Sequence, residues 1–255
     1  MTKIWRKAIE NELPKYHWIP EKYITLVEKT NNPILREYMK TEIDYIVKNI
    51  ESPSLKTFIE VGAGYGRVLS QLSKLGKNVI AVEIDKKMLQ ELKQRTKKLP
   101  NVIIIEGDAN QLTRLLFKYE DVIEKPVLLS LQNTLGTAIG DPYKILSEMK
   151  RVAIAKNGEV IISLFCQESL KDWGIKMYAS LQSMVGEIDV QNTNFNLGIF
   201  ISKRNYRSKW WTAEERADFK KRLNRKISIL SKVPYFYIIH SRYEKKLCQN
   251  REIKN

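Results

Sequence analysis

The chain has 255 residues, of which 43% are hydrophobic and 29% are charged, and its formal net charge is +15. That length is enough to bury a sizeable core, and no apolar stretch approaches the roughly twenty residues that a membrane span requires. With two cysteines and two histidines, the sequence predicts neither a disulfide framework nor a metal site. Because the N-terminus lacks a secretory apolar region, we expect a cytoplasmic protein with no membrane partner.

The first part of the chain, residues 1 to 52, is predicted to be helical. Tyr16, His17 and Trp18 stand together in it. Such aromatic side chains could form a cage for a substrate cation, but aromatic residues at helical spacing more often belong to a core. A Ser-Pro-Ser linker at 52–54 then leads into the first predicted strand.

The segment after the linker is the most informative one. An apolar run ends in Glu60 and gives way to Gly62, Gly64 and Gly66. We expect a strand that turns directly into a helix, so that backbone can approach a ligand beside the free N–H groups of the helix. This arrangement predicts a nucleotide-cofactor site. The third glycine comes two residues after the second, whereas the dinucleotide fingerprint G-x-G-x-x-G requires three.

Acidic residues follow the next two predicted strands. The β-branched run at 78–82 is followed by Glu83, and the run at 102–106 leads through a glycine into Asp108. An acid in the position of Glu83 can accept hydrogen bonds from both hydroxyls of a ribose. Taken singly, either acid could instead stand at a helix N-terminus, where the helix dipole favours it.

Together these features resemble the class I S-adenosylmethionine (SAM)-dependent methyltransferases. The acid and the three glycines are similar to that family's first motif, E/D-x-G-x-G-x-G, and Asp108 stands where the third motif places an acid beside the adenine amino group. The resemblance implies that SAM is the cofactor, with its methionine end held by the glycine turn and its ribose by Glu83. The cofactor-binding residues that it implies are Glu60, Gly62, Ala63, Gly64, Gly66, Glu83, Ile84, Asp108, Ala109 and Gln132.

A fourth apolar run at 126–131 leads into Gln132 and Asn133, at the position of the family's fourth motif. In a doubly wound sheet this loop lies at the carboxyl ends of the strands, where ligands bind. Gln132 and Asn133 are therefore candidate catalytic residues, although capping of the loop would explain them about as well. The loop has neither an Asn/Asp-Pro-Pro-Tyr sequence nor a cysteine, which argues against methylation of DNA bases and cytosine.

Further along the chain, Asp141 and Pro142 are predicted to start a helix, with proline at its first position. A turn at Asn157 then leads into a fifth strand. Beyond that strand the sequence predicts a helix around 167–184 and an antiparallel strand or hairpin at 195–202.

Two β-rich runs, 226–231 and 235–240, are predicted to be the last strands. The resemblance then implies an α/β fold: a Rossmann-like, doubly wound, seven-stranded sheet with the last strand antiparallel and helices on both faces. Residues 1–52 would form an N-terminal helical lid, and 53–255 the methyltransferase domain, with a substrate-side insertion at about 167–211.

The methyl acceptor is predicted from weaker signals. The passage Trp-Thr-x-Glu-Glu at 211–215, in which Thr212 and Glu215 form a capping box, resembles one found in many small-molecule methyltransferases. A small-molecule acceptor is therefore our first expectation. The oligomeric state is not predicted by the sequence.

The charge distribution supports an alternative acceptor, RNA. Residues 202–255 hold 16 Lys/Arg against 5 Asp/Glu, and a basic region that carries aromatics can follow a phosphate backbone and stack bases. An RNA methyltransferase or an RNA-binding protein is thus the alternative function. A solvated helix face would also explain the charge, because one predicted amphipathic helix would expose Lys220, Lys221, Arg222, Arg225 and Lys226.

Overall fold

The computed structural model describes residues 20–244. The aromatic trio at 16–18 and the basic residues after 244 lie outside the described part. Within residues 20–244, no helix combines the length and the apolar character needed to cross a membrane.

The α-helices and strands alternate along most of the described chain. The helices are α1 (Pro20–Glu28), α2 (Pro33–Asn49), α3 (Leu69–Leu75), α4 (Lys86–Thr96), α5 (Leu112–Leu116), α6 (Thr134–Thr137), α7 (Pro142–Ala155), α8 (Ile175–Ser180), α9 (Gln182–Val185) and α10 (Ala213–Leu223). The strands are β1 (Thr57–Val61), β2 (Asn78–Glu83), β3 (Val102–Glu106), β4 (Val127–Ser130), β5 (Glu159–Phe165), β6 (Ile199–Ile201), β7 (Arg207–Lys209), β8 (Lys226–Lys232) and β9 (Phe236–Arg242).

Seven of these strands form one sheet in the order β3-β2-β1-β4-β5-β9-β8. Strands β1 to β5 pair in parallel, whereas β9 is antiparallel to both of its neighbours, β5 and β8. The sequence prediction of a seven-stranded sheet with the last strand inserted antiparallel is confirmed. The two final strands lie within two residues of their predicted bounds.

Helices cover both faces of the sheet because the central strands are apolar on both sides. In β1, Phe58 packs in a cluster with side chains of α2, α3 and α4. Its neighbour Ile59 packs in a second cluster, with side chains of α5, α7 and α10. Alternate residues of a strand point to opposite faces, so one short apolar strand supplies two cores. The predicted doubly wound arrangement is confirmed.

The glycine turn differs from its prediction. Strand β1 ends at Val61, but α3 begins only at Leu69, so the intervening residues form a loop and not the first turn of a helix. The N–H groups at Gly62 and Ala63 donate to the Val82 carbonyl over 2.9 and 3.0 Å. The prediction of free helical N–H groups beside the ligand is therefore wrong for this loop.

The segment between β5 and α10 folds as short helical pieces and a two-stranded sheet. The continuous helix predicted around 167–184 is wrong: a 3₁₀ turn, a π-helical turn at Leu170–Gly174, α8 and α9 follow one another. Leu181, with φ −100° and ψ 7°, separates α8 from α9. The predicted antiparallel pairing is confirmed, since β6 pairs with β7.

Helix α10 begins at the predicted capping box, in which the Thr212 side chain accepts from the Glu215 N–H and the Glu215 carboxylate accepts from the Thr212 N–H. The helix ends at Leu223, because Asn224 adopts the left-handed conformation. Arg225 and Lys226 therefore lie outside the helix. The prediction that five cations share one helix face is wrong for these two residues.

Candidate cofactor site

A cavity of about 650 Å³ opens at the carboxyl ends of strands β1 to β5. Nine of the ten cofactor residues that the sequence predicted line it, the exception being Gly66. These residues come from four separate loops. The sheet topology brings the loops together, because parallel strands place all their carboxyl ends at one edge.

Two of the motif glycines serve different purposes. Gly64 lines the cavity with φ +56°, and a Cβ added there would meet no atom within 4 Å, so a side chain would stand in the cavity space. A Cβ on Gly66 would lie 2.6 Å from Leu92 Cδ1, in the packing between α3 and α4. Gly64 thus keeps the cavity open, while Gly66 lets two helices approach.

Glu83 fixes the turn to the end of β2. Its carboxylate accepts hydrogen bonds from the N–H groups of Gly64 at 2.7 Å, Ile84 at 2.8 Å and Asp85 at 2.8 Å. Burial raises the pKa of Glu83, and the three backbone donors oppose that rise. A carboxylate has about four acceptor positions, so capacity remains for a hydroxyl in the cavity.

Glu60 is a buried acid whose Oε2 atom has no hydrogen-bond partner among the described residues. Burial raises its pKa to about 8, the nearby Arg67 lowers the pKa in part, and Glu42 adds to the rise. A buried, unpartnered carboxylate at a cavity wall suits a ligand that brings a cationic or donor group. The ammonium of a bound methionine moiety is such a group.

The far end of the cavity suits a flat base. Asp108 Oδ1 accepts from the backbone and side-chain amides of Asn110, both at 2.8 Å, and Asn110 also donates to the Ile139 carbonyl at 3.1 Å. Ile84 and Ile139 line the cavity with 42% and 51% of their surface exposed. An acid that shares the cavity wall with exposed apolar side chains can accept from an amino group while the ring of the base covers apolar surface.

The two candidate catalytic residues occupy different places. Both have positive φ, 50° at Gln132 and 57° at Asn133. Gln132 lines the cavity. Asn133 is fully buried: its Oδ1 accepts from Trp211 Nε1 at 2.9 Å and from the Phe165 N–H at 3.2 Å, and its Nδ2 donates to a carbonyl of β7 at 2.9 Å. The geometry favours Gln132 for contact with ligands and gives Asn133 a structural task.

A buried polar network that the sequence did not indicate lies behind this wall. Glu42, on α2, is 1% exposed. Its Oε2 accepts from Arg67, and its Oε1 accepts from the Gln132 N–H at 2.5 Å and from the Ser163 hydroxyl. Ser163 in turn accepts from the Tyr38 hydroxyl at 2.8 Å. One carboxylate therefore joins α2 to the glycine turn, the loop after β4 and strand β5.

Helix α1 covers the glycine turn from outside. Tyr23 lines the cavity and packs edge-on against Tyr65, with ring centroids 5.7 Å apart. The Arg95 guanidinium lies 4.9 Å from the Tyr65 ring centroid and donates to Glu28 at 2.5 Å. Sequence patterns do not predict these contacts, since they join residues that are far apart in the chain.

A doubly wound sheet with an acid-and-glycine turn, a second acid at the end of β2 and a third after β3 defines a nucleotide-cofactor enzyme of the Rossmann-like class. Residues 53–247 match the family model described as a methyltransferase domain. The chain belongs to this methyltransferase family.

Curated relatives are similar over part of their length. The probable ribosomal RNA small subunit methyltransferase A of Thermococcus gammatolerans is 30% identical over 146 residues, which are 56% of this chain and 46% of that protein. The ribosomal RNA small subunit methyltransferase A of Syntrophus aciditrophicus is 30% identical over 112 residues, 43% of this chain and 39% of that protein. The chain thus spans less than half the length of these relatives.

Solved structures share the fold at low sequence identity. A SAM-dependent methyltransferase from Aquifex aeolicus has a TM-score of 0.54 and 16% identity, covering 89% of this chain and 100% of that chain. The PH0226 protein from Pyrococcus horikoshii OT3 has a TM-score of 0.60 and 14% identity, covering 87% and 96%. Family match and fold together confirm the class I SAM-dependent methyltransferase that the sequence predicted, with SAM as its cofactor.

Proposed function

We propose that this methyltransferase methylates a small molecule that binds in the same cavity as the cofactor. The observation that carries the proposal is the extent of the cavity, which continues beyond the predicted cofactor residues. We call this continuation the acceptor chamber; its walls are Leu35, Phe165, Met177, Tyr178, Leu181, Met184, Val185, Tyr206 and Ser208. Concave, mostly apolar chambers of this kind are typical small-molecule sites.

We assign the cofactor contacts by their places in the cavity. Glu60, Gly62 and Gly64 would hold the methionine end, and Ala63 lies beside them. Glu83 would accept a hydrogen bond from one ribose hydroxyl. The adenine would lie against Asp108, Ile84 and Ala109, and Gln132 would face the reacting centre.

When bound, SAM supplies a methyl group on a sulfonium, so that an acceptor lone pair forms the new bond to carbon while the pair of the broken bond goes to sulfur. The protein's task is to align the acceptor and to exclude water. No general base is needed where the acceptor atom carries no proton that must leave on methylation. The apolar chamber walls suit this task, since they confine an acceptor without competing for the methyl group.

We also propose roles for the segments on either side of the chamber. The described part of the 1–52 segment supplies α1 and α2, which bring Tyr23 and Leu35 to the cavity and would act as a lid. The segment 167–211 supplies most of the chamber wall and would be the substrate-side insertion. A cytoplasmic location stays a prediction of the sequence.

RNA is the second candidate acceptor, favoured by the names of the curated relatives and by the positive charge. Several cations of the basic region are already paired within the protein: Lys203 with Glu187 at 2.7 Å, Arg222 with Asp218 at 2.7 Å, Arg216 with Glu168 at 2.6 Å and Lys232 with Glu37. A cation that is already paired within the protein contributes less to binding a phosphate backbone. These ion pairs therefore favour a small-molecule acceptor over RNA.

The deciding experiment is an assay with methyl-labelled SAM against small-metabolite, RNA and protein fractions. We expect label in the small-metabolite fraction. Label in RNA alone, together with salt-dependent RNA retention that is lost when Lys220, Lys221 and Arg222 are reversed to Glu, would establish the alternative.

Calorimetry tests the cofactor assignments separately. Asp108→Ala should weaken SAM binding about tenfold or more, because a charged acceptor is lost. Glu106→Ala is the matched control, since this acid ends β3 two residues earlier but is exposed and outside the cavity wall. Equal affinities for both variants would contradict the adenine assignment.

A further inference from the structure

We infer that the acceptor is an uncharged, mainly apolar molecule with one hydrogen-bonding group, and that Ser208 and Tyr178 bind that group. The inference rests on the proposed function and names the acceptor's chemical class. Its support comes from the chamber walls, from the placement of charges around the cavity and from a buried hydroxyl.

The chamber walls belong to a hydrophobic cluster of their own. It joins α2 through Leu35, the end of β5 through Phe165, and the insertion through Met177, Leu181 and other apolar residues. These four side chains are 2% to 7% exposed. An acceptor in contact with them gains by covering apolar surface.

The acidic and basic side chains that line the cavity belong to the cofactor loops and not to these walls. At the carboxyl ends of β1, β2 and β3 they are Glu60, Glu83, Asp85, Lys86, Lys87 and Asp108. Arg67 also lines the cavity, but its charge is compensated by Glu42. Among the described wall residues of the acceptor chamber there is no ionised side chain. An ionised acceptor would lose its hydration there without gaining a counter-charge.

One polar group in the chamber wall stands out. Ser208, in the middle of β7 and opposite Phe200 of β6, is 1% exposed, and its Oγ makes no hydrogen bond of good geometry with the described residues. Buried hydroxyls are normally hydrogen-bonded. The Tyr178 phenol lies within reach of this hydroxyl, and a polar atom of the acceptor would bind between the two groups.

Tyr178 stands beside this hydroxyl. Burial raises the pKa of Tyr178 to about 12, while the neighbouring Ser208, Trp210 and Tyr206 side chains lower it in part. The phenol therefore keeps its proton, and it accepts from Trp210 Nε1 at 3.0 Å. A neutral phenol and a neutral alcohol together offer donor and acceptor capacity without charge.

Binding of matched dyes to the full chain, saturated with S-adenosylhomocysteine, tests the absence of charge. N-phenylnaphthylamine and anilinonaphthalene sulfonate have the same aromatic body, and only the second carries a sulfonate. We expect the neutral dye to bind about tenfold tighter or more. Equal binding, or preference for the sulfonate, would overturn the inference.

A variant with a charge in the wall of the acceptor chamber tests the same point from the side of the protein. Met184 lines the cavity and is only half-buried, so Met184→Lys can fold with its ammonium at the chamber. This variant should shift the preference towards the sulfonated dye by about tenfold, whereas Met184→Leu should leave it unchanged. The inference is wrong if Met184→Lys and Met184→Leu behave alike.

The polar contact has its own test. Ser208→Ala should weaken binding of naphthol by about fivefold to tenfold and leave binding of naphthalene unchanged. Equal losses for both ligands would show that Ser208 only supports the wall. Absence of SAM binding in calorimetry would overturn the proposed function. If the protein binds SAM but prefers the sulfonated dye to the neutral one, only the inference about the acceptor is overturned.

Discussion

The Arg67 guanidinium donates to the Glu42 carboxylate inside the protein, where their side chains are 14% and 0% exposed. Arg67 follows the glycine turn, and Glu42 lies on α2. The pair therefore ties the cofactor loop to the N-terminal helices. Because Glu42 also accepts from the Gln132 N–H, one carboxylate holds both loops that flank the proposed reacting centre.

Replacing the Glu42 carboxylate with a neutral amide of the same shape tests this connection between α2 and the cofactor loop. Glu42→Gln removes the carboxylate that is paired with the buried Arg67 guanidinium, and we expect the free energy of unfolding in urea to fall by about 3–5 kcal/mol. The matched control is Asp44→Asn on the same helix, whose pair with Lys40 is exposed and should contribute at most about 1 kcal/mol. A similar fall of the free energy of unfolding in the two variants would contradict a stabilising role for the buried Arg67–Glu42 pair.

SAM binding should release a proton near neutral pH. Burial raises the pKa of Glu60 to about 8, so the free protein holds this carboxyl protonated at pH 7, and pairing with the ammonium of SAM requires the ionised form. Calorimetry at pH 7 in buffers of different ionisation enthalpy should show up to about one proton released per SAM bound. Glu60→Gln should abolish the release, whereas Glu106→Gln should retain it.

The same shift has a consequence for the ligand-free protein. The folded state keeps a proton on Glu60 that the unfolded chain, with the ordinary carboxyl pKa of 4.5, has lost. The contribution of Glu60 to stability is thus full below pH 4.5 and is lost as the pH rises through about 8. Urea unfolding of wild type and Glu60→Gln between these pH values should show a steeper fall of the free energy of unfolding in the wild type, since the raised pKa of Glu83 acts equally in both proteins.

Gln132 and Asn133 should respond differently to truncation. Asn133→Ala leaves the Trp211 Nε1–H, the Phe165 N–H and a carbonyl without partners, so we expect a loss of about 2–4 kcal/mol in the free energy of unfolding. Gln132→Ala should change stability by less than about 1 kcal/mol but lower kcat by about tenfold or more, because alignment at the reacting centre is lost. A Gln132→Ala enzyme of normal kcat would remove Gln132 from the candidates.

A second charge cluster, at the opposite end of β5, should govern stability in acid. Burial alone would raise the pKa of Glu159, but hydrogen bonds from His240 at 2.6 Å and from Lys56 lower it to about 2. The resulting stability, roughly 2 kcal/mol, is present above the ordinary pKa of 4.5 and is lost as the pH falls through about 2. Glu159→Gln should make the free energy of unfolding depend less on pH in this range. Glu51 is an exposed acid near Arg242, so Glu51→Gln should leave that pH dependence unchanged.

The sequence alone determined the sheet, the cofactor and most of the cofactor loops. Runs such as 78–82 and 102–106 are apolar because parallel strands are buried on both faces, and that pattern is visible without a structure. The acids and glycines that follow the strands are local features as well. Their order along the chain was enough to place Glu60, Glu83 and Asp108 around one cavity.

The tertiary structure decided what depends on contacts between distant segments. In the sequence, Glu42 resembles a solvated residue of an amphipathic helix, and only packing of α2 on the sheet shows that it is buried against Arg67. Sequence patterns likewise did not predict the fully hydrogen-bonded side-chain amide of Asn133, the late start of α3 or the acceptor chamber. Their partners lie many residues away, and the free energy of burying a charge or an amide depends on those partners, which local sequence patterns do not encode.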